Sequence, residues 1–157
     1  MAVRVQREDF DVGAEIAALT AGRTDVGGVA TFLGLVRDIA GGDGVRAMTL
    51  EHYPGMTEKM LAEIEAEARE RWPLDDSLII HRYGRLEPGD RIVLVVTASA
   101  HRQAALESCA FLIDWLKTRA PFWKLEETAE GEHWVEARES DDDAAARWDK
   151  TARKAAE

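Results

Sequence analysis

The clearest periodic pattern in the chain predicts a helix over residues 56–72. Apolar side chains recur there every four residues, which is the spacing of one face of an α-helix. The recurring positions are Met56, Met60, Ile64, Ala68 and Trp72. Pro54-Gly55 breaks the preceding segment, and Pro73 ends the helix because proline cannot continue it.

Two further helices are predicted on either side of this one. An alanine-rich stretch suggests a short helix within residues 11–21, with Gly22 placed to end it in a left-handed conformation. A longer helix begins near His101, where Ser99 can act as its N-cap, and it continues until Pro121. The chain therefore has three main helices.

Apolar and β-branched runs between the helices predict the strands. The predicted strands cover residues 29–37, 45–53, 78–83, 92–97, 123–128 and 133–137. Turn-prone residues 87–90 join two of them as a hairpin, Glu130-Gly131 joins another two, and the glycine cluster 41–44 forms a turn or mobile loop. Because hairpins are mixed with helices, we expect a single α+β domain with a largely antiparallel sheet.

The domain is expected to span residues 1–148, since no repeat or linker divides the chain. From Asp141 the sequence is charged and alanine-rich, which predicts a frayed helix. Residues 149–157 are expected to form a charged, flexible C-terminal tail.

The composition excludes several classes of protein. Hydrophobic residues make up 46% and charged residues 32% of the chain, and no apolar run reaches the roughly 18 residues of a membrane span. A net charge of -10 opposes binding to nucleic acid. The N-terminus has no secretory signal, so we expect a cytoplasmic protein, and the single Cys109 cannot form an internal disulfide.

Basic side chains gather at the predicted ends of elements, against the acidic character of the whole chain. These positions are Arg37, His101, Arg102, Lys117 and Lys124. At a helix start, His101 and Arg102 have free backbone N–H groups beside them and suit a phosphate or carboxylate. The alternative is that each of these residues is ordinary solvated surface charge.

The segment between Lys117 and Lys124 favours a pocket, because Ala120, Phe122 and Trp123 are poor surface residues but good pocket walls. A lysine desolvated there, beside other cations, acts as a general acid or base or as a nucleophile. The alternative for Lys117 is a purely structural charge that stabilises the end of its helix.

No metal site and no cofactor are expected. The four histidines, at positions 52, 81, 101 and 133, have none of the spacings that preorganise metal ligands. Cys109 falls on an apolar helix face, which indicates packing rather than thiol chemistry. The glycines match no nucleotide-binding pattern.

Short motifs along the chain, in their order and spacing, carry a family resemblance. They are Thr31-Phe32-Leu33-Gly34-Leu35-Val36-Arg37, Leu50-Glu51-His52-Tyr53-Pro54-Gly55-Met56, His81-Arg82-Tyr83-Gly84, Ser99-Ala100-His101-Arg102, Leu116-Lys117, Trp123-Lys124-Leu125-Glu126 and Gly131-Glu132-His133-Trp134-Val135-Glu136-Ala137-Arg138. Together they resemble the molybdopterin synthase large (catalytic) subunit family over about residues 5–148. One departure is Leu125, where many relatives carry a basic residue.

The resemblance implies an α/β-hammerhead type of fold and a sulfurtransferase of molybdenum cofactor biosynthesis. Such an enzyme converts cyclic pyranopterin monophosphate into molybdopterin by adding two sulfurs as a dithiolene. The sulfur arrives as a C-terminal Gly-Gly thiocarboxylate on a small ubiquitin-like subunit, whose tail enters a pocket of the large subunit. The family also implies a dimer of large subunits and, with two small subunits, a heterotetramer.

The matching positions carry the family's roles. By resemblance, Lys117 and Lys124 are the catalytic lysines and also bind substrate, Lys117 beside the thiocarboxylate and Lys124 assisting proton transfer or substrate binding. The other substrate-binding positions are Arg37, His101, Arg102 and Arg138, of which the last three can come from the neighbouring chain. The residues assigned to the pocket for the partner's tail are Phe32, Phe122 and Trp123.

Two other classes of function remain open from the sequence. A non-catalytic adaptor that binds a ubiquitin-like tail needs only the apolar residues around Lys117, and it has no need of Arg37, His101 and Arg102 together. A phosphate-ester hydrolase shares the anion pocket but lacks an evident metal site or carboxylate pair.

Overall fold

The computed structural model describes residues 2–38, 47–128, 131–135, 142–146 and 148–149. Its helices are α1 (Val12–Thr20), α2 (Met56–Arg71) and α3 (Arg102–Arg119), and residues 142–146 and 148–149 are also helical. Its strands are β1 (Ala2–Gln6), β2 (Gly28–Leu35), β3 (Ala47–His52), β4 (Asp76–Arg82), β5 (Gly84–Leu86), β6 (Arg91–Ser99), β7 (Phe122–Thr128) and β8 (Gly131–Val135).

Local sequence explains where the first two helices begin and end. Asp11 caps α1 by accepting a hydrogen bond of 2.9 Å from the Ala14 N–H, and Gly22 follows its end at φ +70°. The Glu58 side chain accepts a bond of 2.7 Å from the Gly55 N–H at the start of α2. The predicted helices at 11–21 and 56–72 are confirmed.

The first sheet has the strand order β1-β4-β6-β2. β1 runs parallel to β4, whereas β6 is antiparallel to both β4 and β2. β2 and β4 therefore end at the same edge of the sheet, where β6 begins. This common edge decides which site residues can meet.

The second sheet has the order β5-β3-β7-β8, and its strand pairs are antiparallel. The predicted hairpin between residues 123–128 and 133–137 corresponds to the pair β7 and β8. The predicted single α+β domain with largely antiparallel strands is confirmed, although its strands divide between two sheets rather than forming one.

The first sheet is covered on both faces. One face packs on α2 and α3 through a buried cluster that includes Ile64, Ile79, Phe111 and Leu112. The other face packs on α1, with Phe10 and partly buried apolar side chains of that helix against the sheet. Successive residues of a strand point to opposite faces, so His81, two residues after Ile79, faces the α2 and α3 side.

Three details differ from the sequence-based predictions. Ser99 is not the N-cap of α3, because it ends β6 and its hydroxyl donates to the Pro73 carbonyl at 2.7 Å, while His101 takes the cap position without a side-chain bond. The short strand β1 was not predicted. β5 interrupts the predicted hairpin of β4 and β6, which still pair directly, and it joins the second sheet.

In the described part of the chain, no helix is both long enough and apolar enough to cross a membrane. The predicted turn at 41–44 lies outside the described residues, as does the tail beyond residue 149. The division of the chain at residue 148 stays a prediction, although Trp148 itself is buried and its indole N–H donates to Asp114 at 2.8 Å.

Candidate active site

Lys117 lies in the last turn of α3, which ends at Arg119. Its neighbour Leu116 is buried and fixes this turn against the core, whereas Lys117 is exposed. The carbonyl end of a helix favours a positive charge, so the helix stabilises the ammonium group there. The predicted placement in the last helical turn is confirmed.

Lys124 lies on β7, an interior strand of the second sheet, between Leu50 on β3 and Val135 on β8. It is half-buried. Side chains two residues apart on a strand share a face, so Lys124 and Phe122 lie on the same face of β7. The contacts of Phe122 therefore show what packs against this face.

Phe122 stacks on His81, the next-to-last residue of β4. The two ring centroids are 3.7 Å apart and the ring planes differ by 17°. His81 is 6% exposed, and its Nδ1 donates to the Arg82 carbonyl at 2.8 Å. This stack joins the end of the first sheet to the start of β7 in the second.

Both lysines act electrostatically on His81. The pKa of His81 is lowered from 6.5 to about 3, mainly by burial; the hydrogen bond with the Arg82 carbonyl opposes this change, and the positive charges of Lys117 and Lys124 contribute to it. Since electrostatic influence falls with distance, both lysines lie near one imidazole. We call this region, defined by Lys117, Lys124, His81 and Phe122, the lysine end.

His52 extends the lysine end on the side of β3. Its ring centroid lies 4.4 Å from that of Tyr83 and 6.2 Å from that of Phe122. The Thr57 hydroxyl lies 3.2 Å from His52 Nδ1 and donates to the Tyr53 carbonyl at 2.9 Å. Because that hydroxyl has one proton to give, His52 Nδ1 is the donor in their bond.

Arg37 lies at the same edge of the first sheet as His81. It follows the end of β2 and is exposed. The Val36 N–H donates to the Asp90 carbonyl at 2.9 Å, and the Gly89 N–H donates to the Val36 carbonyl at 2.7 Å. These bonds tie the segment carrying Arg37 to the turn before β6, at the edge where β4 also ends.

His101 and Arg102 lie at the opposite edge. Both are exposed at the start of α3. A Cβ on Gly27 would lie 2.0 Å from the Ala100 carbonyl oxygen, so only glycine permits this approach of β2 to the helix start. We call this region, defined by Gly27, Gly28, Ala100, His101 and Arg102, the helix-start end.

The two ends are far apart within one chain. Along α3, Arg102 and Lys117 are separated by about 22 Å at the usual rise of an α-helix. Along β2, the start beside Arg102 and the end before Arg37 are separated by about 25 Å at the usual rise of a strand. One chain thus brings Arg37 to the edge near the lysines but leaves His101 and Arg102 away from them.

The residues assigned to the partner-tail pocket are also divided. Phe122 is half-buried against His81, whereas Trp123 points to the other face of β7, is 40% exposed and packs edge-on against Tyr53 with centroids 4.4 Å apart. Phe32 is 38% exposed on β2, and within the described residues it makes no ring contact with either. Arg138 lies outside the described residues.

Cys109 lies apart from these groups. It is buried on α3, and burial raises the pKa of its thiol to about 11. A thiol with so high a pKa is a poor nucleophile near neutral pH. Across the residues described, no three His, Cys, Asp or Glu side chains are grouped so as to hold a metal ion.

Comparison with known proteins shows which family this chain is similar to. The family model described as MoaE protein matches residues 5–119. The molybdopterin synthase catalytic subunit of Ralstonia nicotianae is 60% identical over 93% of this chain and 83% of its own length. The chain belongs to the MoaE family.

Further relatives agree with this assignment to the MoaE family. The molybdopterin synthase catalytic subunit of Escherichia coli K12 is 60% identical, over 90% of this chain and 93% of its own length. The solved structure of the molybdopterin biosynthesis MoaE protein from Burkholderia ambifaria has a TM-score of 0.81 and 56% identity, and the match covers 94% of this chain and 98% of that one. The family resemblance stated from the motifs is confirmed.

In this MoaE family member, sequence reasoning missed the part that histidines take in the site. Apart from their place in the family motifs, His52 and His81 were considered only as candidate metal ligands, yet both lie beside Phe122 at the lysine end. A polar residue within the apolar run of β4 was the available signal, because a buried histidine needs a specific partner.

Proposed function

We propose that this chain is the catalytic subunit of a molybdopterin synthase. As such it is a sulfurtransferase that adds two sulfurs to cyclic pyranopterin monophosphate and forms the dithiolene of molybdopterin. The relatives named molybdopterin synthase catalytic subunit support this assignment, at 60% identity over nearly the whole chain. The cytoplasmic location expected from the sequence belongs to the same proposal.

The observation that carries the chemical part of the proposal is the pair of lysines at one neutral imidazole. Lys117 comes from the end of a helix and Lys124 from a strand of the other sheet, and both charges act on His81. Two ammonium groups so placed can give and take protons while they attract an anion. An adaptor that only binds a tail has no need of such an arrangement.

In the proposed reaction, the thiocarboxylate sulfur of the carrier attacks the pterin side chain. Lys117 lies beside the incoming thiocarboxylate, and Lys124 assists proton transfer or binds the substrate. Opening of the cyclic phosphate builds up negative charge, which preorganised cations stabilise. A second thiocarboxylate then completes the dithiolene, and water hydrolyses each acyl–sulfur bond, so that the sulfur stays on the pterin and each carrier leaves as a carboxylate. The buried Cys109, with its raised pKa, supports a sulfur source outside this chain.

The proposal includes two kinds of partner. The relatives are catalytic subunits of molybdopterin synthases, which supports a second component; we take it to be the small ubiquitin-like carrier with a C-terminal Gly-Gly thiocarboxylate. We also propose that two copies of this chain associate, so that the whole assembly is a heterotetramer. The separation of His101 and Arg102 from the lysines supports this, because a second copy can supply these residues, together with Arg138, to the lysine end.

The direct test is conversion of precursor by a Lys117→Ala protein supplied with thiocarboxylated carrier. Because a positioned acid or base contributes about 100-fold or more to a rate, kcat should fall by at least about 100-fold. Lys59→Ala is the matched control, since Lys59 is exposed on α2 and is not one of the four residues that define the lysine end.

Binding of the carrier separates catalysis from an adaptor role. Calorimetry should give the same affinity for carrier with the wild-type chain and with Lys117→Ala, while only the wild type makes product. Full conversion by Lys117→Ala would refute the catalytic assignment. A wild-type chain that binds carrier but neither binds nor converts precursor would favour the adaptor.

A further inference from the structure

The two histidines of the lysine end are fixed in the same tautomer. A carbonyl oxygen can only accept, so the bond of 2.8 Å to the Arg82 carbonyl assigns the proton of His81 to Nδ1. The Thr57 hydroxyl, which donates to the Tyr53 carbonyl, likewise assigns the proton of His52 to Nδ1. In the neutral ring of His81, Nε2 therefore carries the lone pair.

His81 is also the contact between the two parts of the site. It lies at the end of β4 on the face that packs on α3, and Phe122 covers it at the first residue of β7. Lys124 follows two residues later on the same face of β7. A change in the His81 ring is therefore transmitted through Phe122 to the strand that carries Lys124.

The charge of His81 matters as much as its shape. The groups that act on it electrostatically are Lys117 on α3, Lys124 on β7 and His52 on β3, and each disfavours a positive charge on its ring. A protonated His81 would put a third cation beside the two ammonium groups, in a place that water hardly reaches. Burial and these neighbours together keep the ring neutral.

We propose that His81 is a positioning residue for the lysine pair. Its neutral ring, held by the Arg82 carbonyl, supports Phe122 and thereby the start of β7, so that Lys124 keeps its place relative to Lys117 without a competing positive charge. The inference rests on the proposed function, which gives the two lysines their task. It adds a residue that acts through its neighbours rather than on the substrate.

Two substitutions separate the features of His81. His81→Asn keeps a donor near the Arg82 carbonyl but removes the ring from Phe122, whereas His81→Phe keeps a neutral ring and removes the donor. Ile79→Val is the matched control for stability, because Ile79 is buried on the same face of β4 and the change removes only a methylene. Each protein is assayed with precursor and thiocarboxylated carrier, and its folded fraction is measured at the assay temperature.

We expect His81→Asn to lower kcat about 30-fold, as a misplaced catalytic group does, with KM for precursor within about twofold of the wild type. The kcat of His81→Phe should stay within about threefold of the wild-type value. The kcat of Ile79→Val, per folded molecule, should equal the wild-type value. Unchanged kcat in His81→Asn, equal losses in the Asn and Phe variants, or the same loss in Ile79→Val would each overturn the inference.

A measurement without turnover keeps this test separate from the test of the proposed function. Nitrogen-15 NMR of protein labelled at histidine and lysine should find His81 neutral, with its proton on Nδ1, at pH 6. The Lys124 side-chain signals should move in His81→Asn but not in His81→Phe. A charged His81 at pH 6, or unmoved Lys124 signals, would contradict the inference. A wild-type chain that makes no product would instead refute the proposed function.

Discussion

The two ends of α3 are built by different means. At the lysine end, side chains from both sheets meet: Phe122 stacks on the buried His81, and the charges of both lysines act on that imidazole. At the helix-start end, the backbone itself packs closely, because Gly27 admits the Ala100 carbonyl oxygen and Gly28 lies against the Arg102 backbone. His101 and Arg102 are exposed there.

Under the proposed function, one helix serves the reaction at one end and binds an anion at the other. The lysine end is partly closed from water, which strengthens electrostatic interactions. The helix-start end offers the exposed Arg102 guanidinium and the N–H groups of a first helical turn, which suit an anion. About 22 Å of helix separates them, so the two ends act on one substrate only if two chains meet.

Among the substitutions that test the difference between the two ends of α3, Gly27→Ala should have the largest effect on stability. The new Cβ would lie 2.0 Å from the Ala100 carbonyl oxygen, so β2 and the start of α3 must move apart. We expect a loss of about 3 kcal/mol in the free energy of unfolding, measured with urea. Gly22→Ala is the control, because nothing lies within 4 Å of its Cβ and only its φ of +70° opposes the change. Equal losses in the two variants would show that the close approach is not what shapes the helix-start end.

The next effect concerns the lysine end and depends on pH. The pKa of His81 is lowered from 6.5 to about 3, so the unfolded chain binds a proton in a range where the folded chain does not. Stability from the neutral ring is therefore complete above pH 6.5 and is lost as the pH falls toward 3.

Between pH 7 and pH 5, the wild type should lose about 2 kcal/mol more stability than His81→Phe. His101→Phe, which changes a histidine of the helix-start end, retains His81 and should keep the wild-type slope. Urea unfolding at several pH values measures both. Asp9 does not contribute to the stability change between pH 7 and pH 5, since Arg91 holds the pKa of its carboxyl at about 2. A His81→Phe protein as sensitive to acid as the wild type would contradict the account.

The smallest effect is expected midway along α3, at Cys109→Ala. Loss of the buried sulfur should cost about 1 kcal/mol of stability and leave sulfur transfer unchanged, because the thiol is not used. A thiol reagent at pH 8 should react with the wild type only on unfolding, since burial raises the pKa of Cys109 to about 11. Loss of product formation in a folded Cys109→Ala protein would mean that this chain carries sulfur itself.

Features that depend on neighbouring residues in the sequence were predicted well. The period of α2, its end before Pro73, the left-handed Gly22 and the place of Lys117 in a last helical turn all follow from local chemistry. The reaction was predicted from the family resemblance, because no local sequence pattern indicates it.

Features that depend on distant residues were missed. The segment of β1 lies at the edge of the first sheet and is extended because it pairs with β4. β5 has only 3 residues and pairs with β3 in the other sheet. The importance of His81 arises from Phe122, which follows it much later in the chain. The common edge at which β2 and β4 end, which places Arg37 on the side of His81, likewise depends on the order of strands in the folded sheet.

The central claim is that the lysines of one chain act with His101 and Arg102 of another. The direct measurement mixes two inactive proteins, Lys117→Ala and Arg102→Ala, after subunit exchange that is verified by native mass spectrometry. With random pairing, half of the dimers are mixed and one of their two sites is intact, so about a quarter of the wild-type rate should return. A mixture that forms mixed dimers and stays inactive would contradict the claim, because that result means that both residues must come from the same chain.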